Sequence, residues 1–128
     1  MDKSPSVLVV DDDTEMRALV IEVLRNEGYE AVEARDGAEA VQALRGRKFD
    51  LILMDKNLPG PSGLDLLPGL LRVSHGSRIV MMTAFGDLPS YVEAFEKGVA
   101  EYLFKPFRIE ELKAAIQKVL ASEAVSRV

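Results

Sequence analysis

Three consecutive aspartates, Asp11–Asp13, follow directly on the apolar run VLVV (Val7–Val10). Two unit charges ~4 Å apart repel by roughly 4 kcal/mol at an effective dielectric of about 20. A triplet placed where a buried strand should end therefore needs a reason. Further along, LILM (Leu51–Met54) runs into Asp55, IVMM (Ile79–Met82) into Thr83, and EYLF (Glu101–Phe104) into Lys105 and Pro106. Carboxylates in oxygen-only company suit a hard cation such as Mg2+ (or Mn2+), which needs only one or two of them beside water and phosphate oxygens. An aspartate carboxylate is also a nucleophile toward phosphorus. Phosphoryl transfer then calls for positive charge and a donor around the equatorial oxygens, which Lys105 and Thr83 would supply. The set is complete for accepting a phosphoryl group.

Each residue has a plainer reading. The triplet could cap a helix, with Asp12 and Glu15 at capping-box spacing. Asp55 could be a turn residue, Thr83 a β-branched strand end, and Lys105 a solvated lysine. Caps and turns do not account for all of them together, one set on each of four strand ends.

Those ends must be brought to one place by the elements before them. VLVV and LILM are short, wholly apolar runs of the kind that form central parallel strands. Met16, Leu19, Val20, Val23 and Leu24 recur on one helical face that stops at Gly28. Tyr29–Ala34 alternates as a more exposed strand, and Ala40, Val41 and Leu44 mark a helix ending near Gly46. A third helix spans roughly Leu64–Val73, a fourth Pro89–Lys97, and a fifth carries Ile109, Leu112, Ile116, Val119 and Leu120 on one face. Five strands alternating with five helices predict an α/β fold, a parallel sheet covered on both sides through right-handed crossovers. Ligands of such sheets bind beyond the carboxyl ends of the strands, where all the candidate residues lie.

The bulk numbers narrow the classes. A chain of 128 residues fits one domain. Its 48% hydrophobic and 29% charged content is globular rather than disordered. The net charge of −5 argues against direct contact with nucleic acid. With no cysteine, disulfides, thiol nucleophiles and zinc–thiolate sites are excluded. No apolar run approaches the ~18 residues of a membrane span, and MDKSPS lacks a signal peptide's apolar stretch, so a soluble cytoplasmic protein without membrane contact is expected.

From VLVVDDD through DLILMDKNLPGPSGLDLL and IVMMTAFGD to YLFKPF, the chain resembles the receiver domain of bacterial two-component response regulators. The resemblance implies a flavodoxin-like (βα)5 doubly wound sandwich of strand order 2-1-3-4-5, over residues 1–121, with a short tail at 122–128. It implies Asp55 as phosphoacceptor and metal ligand. Asp12 would bind magnesium directly, Asp11 mostly through water, and Asn57 through its backbone carbonyl, which leaves Asp13 or Thr14 to cap. Thr83 resembles the switch hydroxyl, assisted by the Ala84 amide, and Tyr102 the aromatic that turns inward when Thr83 moves. Lys105 resembles the ion-pairing lysine, followed by a cis bond to Pro106, against ~5–6% of X-Pro bonds in general. The implied partners are a sensor histidine kinase or histidine phosphotransfer protein upstream and an unidentified output protein or domain downstream. Switching would remodel the face of the fourth helix, fifth strand and fifth helix. The resemblance allows a phosphorylation-dependent homodimer there, with Tyr91, Phe95 and Tyr102 as a candidate patch. TAFGD and YLFKPF also resemble receivers heading enhancer-binding activators. These residues carry no ATPase or DNA-binding segment, so a stand-alone regulator or a domain of a longer one is expected.

Two features depart from the pattern. Pro68-Gly69 falls inside the third helix, where proline costs ~3 kcal/mol or more in a regular helix, so that helix is expected to be kinked, shortened or late-starting. Phe85, with Asn57, flanks the path of water to the phosphoryl group, and its bulk predicts slow self-dephosphorylation. The single His75 is expected in a surface loop rather than in a phosphorelay. Two other readings compete. A magnesium-dependent phosphatase of similar fold would carry a second acid where Asn57 stands, and a degenerate docking module would lack the residues found here.

Overall fold

The strand residues are apolar almost without interruption, yet they divide between two cores by simple alternation. Val7, Val9, Leu51, Leu53, Val80 and Met82 point to one side of the sheet, and Leu8, Val10, Ile52, Met54, Ile79 and Met81 to the other. Successive strand side chains face opposite ways, so such runs are stable only when both faces are covered. The computed structural model describes residues 4–74, 76–84, 86 and 88–126, the side chains of 122–126 excepted. His75 and Phe85 lie outside the described residues.

The chain alternates β1(Ser6–Val10), α1(Thr14–Asn26), β2(Glu30–Ala34), α2(Gly37–Gly46), β3(Leu51–Asp55), α3(Gly63–Ser74), β4(Arg78–Thr83), α4(Leu88–Glu96), β5(Glu101–Phe104) and α5(Ile109–Ser126). All strand pairs are parallel, in the order β2-β1-β3-β4-β5. This is the α/β sandwich expected. Val20 and Leu24 of α1 and Leu112 and Ile116 of α5 cover one face, while Ala40, Leu44, Leu67, Leu70 and Ala94 of α2, α3 and α4 cover the other.

Register carries the candidate residues to one rim. Val10 pairs with Met54, so Asp11 and Asp55 are neighbours one step on. Asp55 pairs with Met82, which puts Thr83 one step further along β4, and Thr83 pairs with Phe104, just before Lys105.

Local differences from the sequence expectation have physical causes. The apolar stripe of α1 is turned toward Ile21, which is buried, whereas Leu19 is 46% exposed. The α1 cap is Asp13, whose Oδ1 accepts from the Glu15 and Met16 amides at 3.0 and 3.1 Å, so the Asp12–Glu15 capping box does not form. The third helix is neither shortened nor late. Ser62 and Asp65 exchange hydrogen bonds, Asp65 N–H to Ser62 Oγ at 3.2 Å and Ser62 N–H to Asp65 Oδ2 at 3.3 Å, and this reciprocal box starts α3 before the proline is reached. Pro68 then sits on the exposed side of the helix, away from the buried Leu67 and Leu70. Helix α5 continues to Ser126, past Ala121 where the sequence suggested a tail.

Candidate functional site

The rim above β1, β3, β4 and β5 gathers three acids and one lysine. Asp11 is wholly buried and Asp55 is 6% exposed, while Asp12 faces solvent. One carboxylate oxygen from each of Asp11, Asp12 and Asp55 lies within 4.8 Å of the others. Lys105 Nζ bridges the two buried acids, donating to Asp11 Oδ2 at 2.9 Å and to Asp55 Oδ2 at 3.0 Å. The remaining oxygens are held by the backbone: the Asp13 amide donates to Asp11 Oδ1 and the Asn57 amide to Asp55 Oδ1, both at 2.9 Å. Each buried charge is therefore paired and hydrogen-bonded, as burial demands.

Lys105 reaches this position because its own amide donates to the Thr83 carbonyl at 2.7 Å, extending the β4–β5 ladder by one rung. The Lys105-Pro106 peptide bond is cis. Gly63 lets α3 begin against the rim, since a Cβ there would stand 2.8 Å from both the Asp55 carbonyl oxygen and Lys56 Cα.

Burial raises the pKa of Asp55 above the ordinary carboxylate value, against the downward pull of the Asn57 amide and Lys105. Burial alone would lower that of Lys105, but its bonds to Asp11 and Asp55 outweigh it and the net shift is upward. The rim thus favours a charged lysine beside a carboxylate that desolvation makes more basic than usual.

Thr83 is buried, and its hydroxyl donates to the Asn57 side-chain oxygen at 3.0 Å. Ala84 and Asn57 are exposed beside it. Tyr102 lies on β5 beside Thr83's strand. Its side chain is buried, 7% exposed, with its ring 5.3 Å from Tyr91, 5.2 Å from Phe104 and 6.4 Å from Phe95. The outward apolar patch is consequently not Tyr91, Phe95 and Tyr102. Tyr91 stacks on Phe104 with ring planes 8° apart, and Leu88, Val92 and Ile109 extend the exposed surface. Tyr102 and Phe104 stand two positions apart and so share a face of β5; Tyr102 is buried there, and Phe104, at the end of the strand, is 51% exposed.

One contributor has no signature in the sequence. Arg17 on α1 donates from Nη1 to the Asp11 carbonyl at 2.6 Å and pairs through Nε with Glu33 Oε1 at 2.7 Å. Only its spacing from the triplet, two helical turns at most, could have pointed to it.

Comparison with known proteins decides the family. The family model described as "Response regulator receiver domain" matches residues 7–117. The chain belongs to the response regulator receiver family. This receiver is 34% identical over 114 residues to the sporulation initiation phosphotransferase F of Bacillus subtilis, covering 89% of this chain and 92% of that protein. It is 40% identical over 111 residues to the DNA-binding response regulator MtrA of Mycobacterium tuberculosis, covering 87% of this chain but 48% of the relative, so it spans about half the length of that regulator. Among solved structures it matches a CheY-like receiver domain protein from Methanospirillum hungatei at a TM-score of 0.91 and 27% identity, covering 97% and 99% of the two chains. It also matches a Burkholderia pseudomallei response regulator solved with a phosphorylated aspartic acid, calcium ion and citrate, at a TM-score of 0.84 and 27% identity, over 98% of this chain and 74% of that one. As a receiver it is a two-component signalling domain. Among the described residues, no helix is long and apolar enough to cross a membrane.

Proposed function

We propose that this receiver takes a phosphoryl group onto Asp55 from the phosphohistidine of a sensor histidine kinase or histidine phosphotransfer protein, in a magnesium-dependent reaction. The observation that carries this reading is Lys105 Nζ set between Asp11 and Asp55, 2.9 and 3.0 Å away, with Asp12 close by. A carboxylate oxygen of Asp55 attacks phosphorus. The new P–O bond forms as the P–N bond breaks, and the electron pair returns to the donor imidazole. Lys105 stays positioned to meet a phosphoryl oxygen as charge builds there.

The donor set fits a hard divalent cation: three carboxylates with oxygen atoms in mutual reach, two of them buried, and no nitrogen or sulfur ligand among them. Asp11, Asp12, Asp55 and the Asn57 backbone carbonyl would hold it, and it would neutralise charge on the phosphoryl oxygens. The Burkholderia response regulator of like fold was solved with both a phosphorylated aspartic acid and a calcium ion, in keeping with such chemistry.

On modification, the Thr83 hydroxyl leaves Asn57 for a phosphoryl oxygen, joined by the Ala84 amide. That shift at the end of β4 is transmitted to α4, β5 and α5, whose exposed Tyr91, Val92, Phe104 and Ile109 would meet the output partner, a further domain or a second copy. Asn57 and Phe85 would set how fast water removes the group. The net charge of −5 disfavours direct nucleic-acid contact by this stretch itself. The test is mass measurement after incubation with phosphoramidate and magnesium. A gain of roughly 80 Da that Asp55→Asn abolishes supports the reading, and an unmodified wild type defeats it.

A further inference from the structure

We propose that Arg17 and Glu33 form a positioning clamp that holds the acidic loop in its cation-binding shape. The inference rests on the magnesium reading of the rim and concerns how that site is kept in place.

The loop Asp11–Asp13 is fixed at its first residue from several sides. The Asp11 amide donates to the Ala34 carbonyl at 3.1 Å, and its carboxylate is held by Lys105 and the Asp13 amide. Its carbonyl is taken by Arg17 Nη1 at 2.6 Å. Among the described residues, Asp12 has no comparable anchor: its exposed carboxylate accepts no hydrogen bond. Its place therefore depends on the peptide before it, and Arg17 fixes that peptide's oxygen.

Arg17 is built for this. Its side chain is 12% exposed, whereas that of Glu33 is 61% exposed. The guanidinium spans from α1 to β2, with Nε on Glu33 and Nη1 on the loop, so one planar group ties helix, strand and loop together. Lysine cannot reproduce this, because it offers a single point donor in place of a fork. Outer partners that orient metal ligands commonly contribute ~10–100-fold to affinity, and Arg17 acts one step further back, on the backbone carbonyl that joins Asp11 to Asp12. An exposed ion pair serving stability alone would not need the inner nitrogen on the Asp11 carbonyl.

The test is calorimetric titration of the folded, metal-free protein with MgCl2, beside thermal melts and amide hydrogen exchange. Arg17→Ala should weaken magnesium binding about tenfold or more and speed exchange at the Asp12 and Asp13 amides before any metal is added. Arg17→Lys, which guards against loss of the fold, should fall between it and wild type. Glu33→Gln, which keeps an acceptor for Nε, should change affinity least. Asp12→Asn serves as the reference that removes the site itself. If wild type binds magnesium and Asp12→Asn does not, while Arg17→Ala and Arg17→Lys keep full affinity and only melt lower, the clamp is overturned and the site stands. If wild type takes up no magnesium, the reading of the site is overturned and the clamp falls with it.

Discussion

The Thr83 hydroxyl donates to the Asn57 side-chain oxygen across 3.0 Å, tying the end of β4 to the loop after β3. The hydroxyl proposed to meet the phosphoryl group is thus engaged by the residue two positions after the phosphoacceptor. Asn57 contacts both residues, its amide donating to Asp55 Oδ1 and its side-chain oxygen accepting from Thr83.

Removing that acceptor should make switching easier. A neutral hydrogen bond contributes about 1 kcal/mol net, which is roughly fivefold in a two-state population. Asn57→Ala keeps the backbone carbonyl and should lower the beryllofluoride concentration needed to shift the Thr83 and Ala84 amide resonances by about that factor. An unchanged midpoint would mean the bond does not oppose the switch.

Asp55 should destabilise the unmodified domain at neutral pH. Its folded-state pKa lies above its unfolded value because of burial, so the native state binds the proton more tightly. Stability therefore falls as pH rises from the ordinary carboxylate value, 3.8, through the raised one, and stays lower above it. Asp55→Asn should melt several degrees higher than wild type near pH 7, with the gap closing below about pH 4. A melting difference independent of pH would point to packing instead of charge.

Lys105→Met should have the opposite effect. It leaves Asp11 and Asp55 facing each other without their cation, at a cost of about 3 kcal/mol or more. The raised pKa of Lys105 adds a second signature. Its contribution is complete below the unfolded value of 10.5 and is lost as pH rises through the folded one. Melts of wild type across the alkaline range should show a decline that Lys105→Met lacks, and parallel curves would contradict the pairing.

The aspartate triplet should separate by position. Asp13→Ala removes the α1 cap and should lower stability by about 1 kcal/mol. Asp12→Ala should raise metal-free stability, but only by a few tenths of a kcal/mol, because solvent screens an exposed charge. Denaturant unfolding of both in chelator gives the comparison. A fall in both would assign Asp12 to capping as well.

What the sequence made legible follows from periodicity and adjacency. The apolar runs ending in Asp11, Asp55, Thr83 and Lys105 placed the rim, and Glu101–Phe104 has the bounds its residues suggested. Less was readable where two local rules compete or where a contact is distant. Pro68 suggested a kinked, shortened or late-starting third helix, yet α3 runs Gly63–Ser74 through it, begun by a Ser62–Asp65 exchange one turn earlier. Asp12 and Asp13 are both capping types, and only backbone geometry decides for Asp13. Tyr102 and Phe104 are two residues apart, and which ring goes in depends on how α4 sits. Arg17 meets Glu33 across 16 positions, a pairing that no short motif encodes.

The aromatic cluster also makes the domain its own optical probe. The chain has three tyrosines and no tryptophan, so no indole overlays the tyrosine signal. Two of the three, Tyr91 and Tyr102, have ring centres 5.3 Å apart on the α4–β5 side, with Phe104 against both. Near-ultraviolet dichroism and tyrosine emission will therefore be dominated by the geometry of this one face. A repacking there can be followed in unlabelled protein, in real time, with Tyr29 on the opposite core as a quiet background.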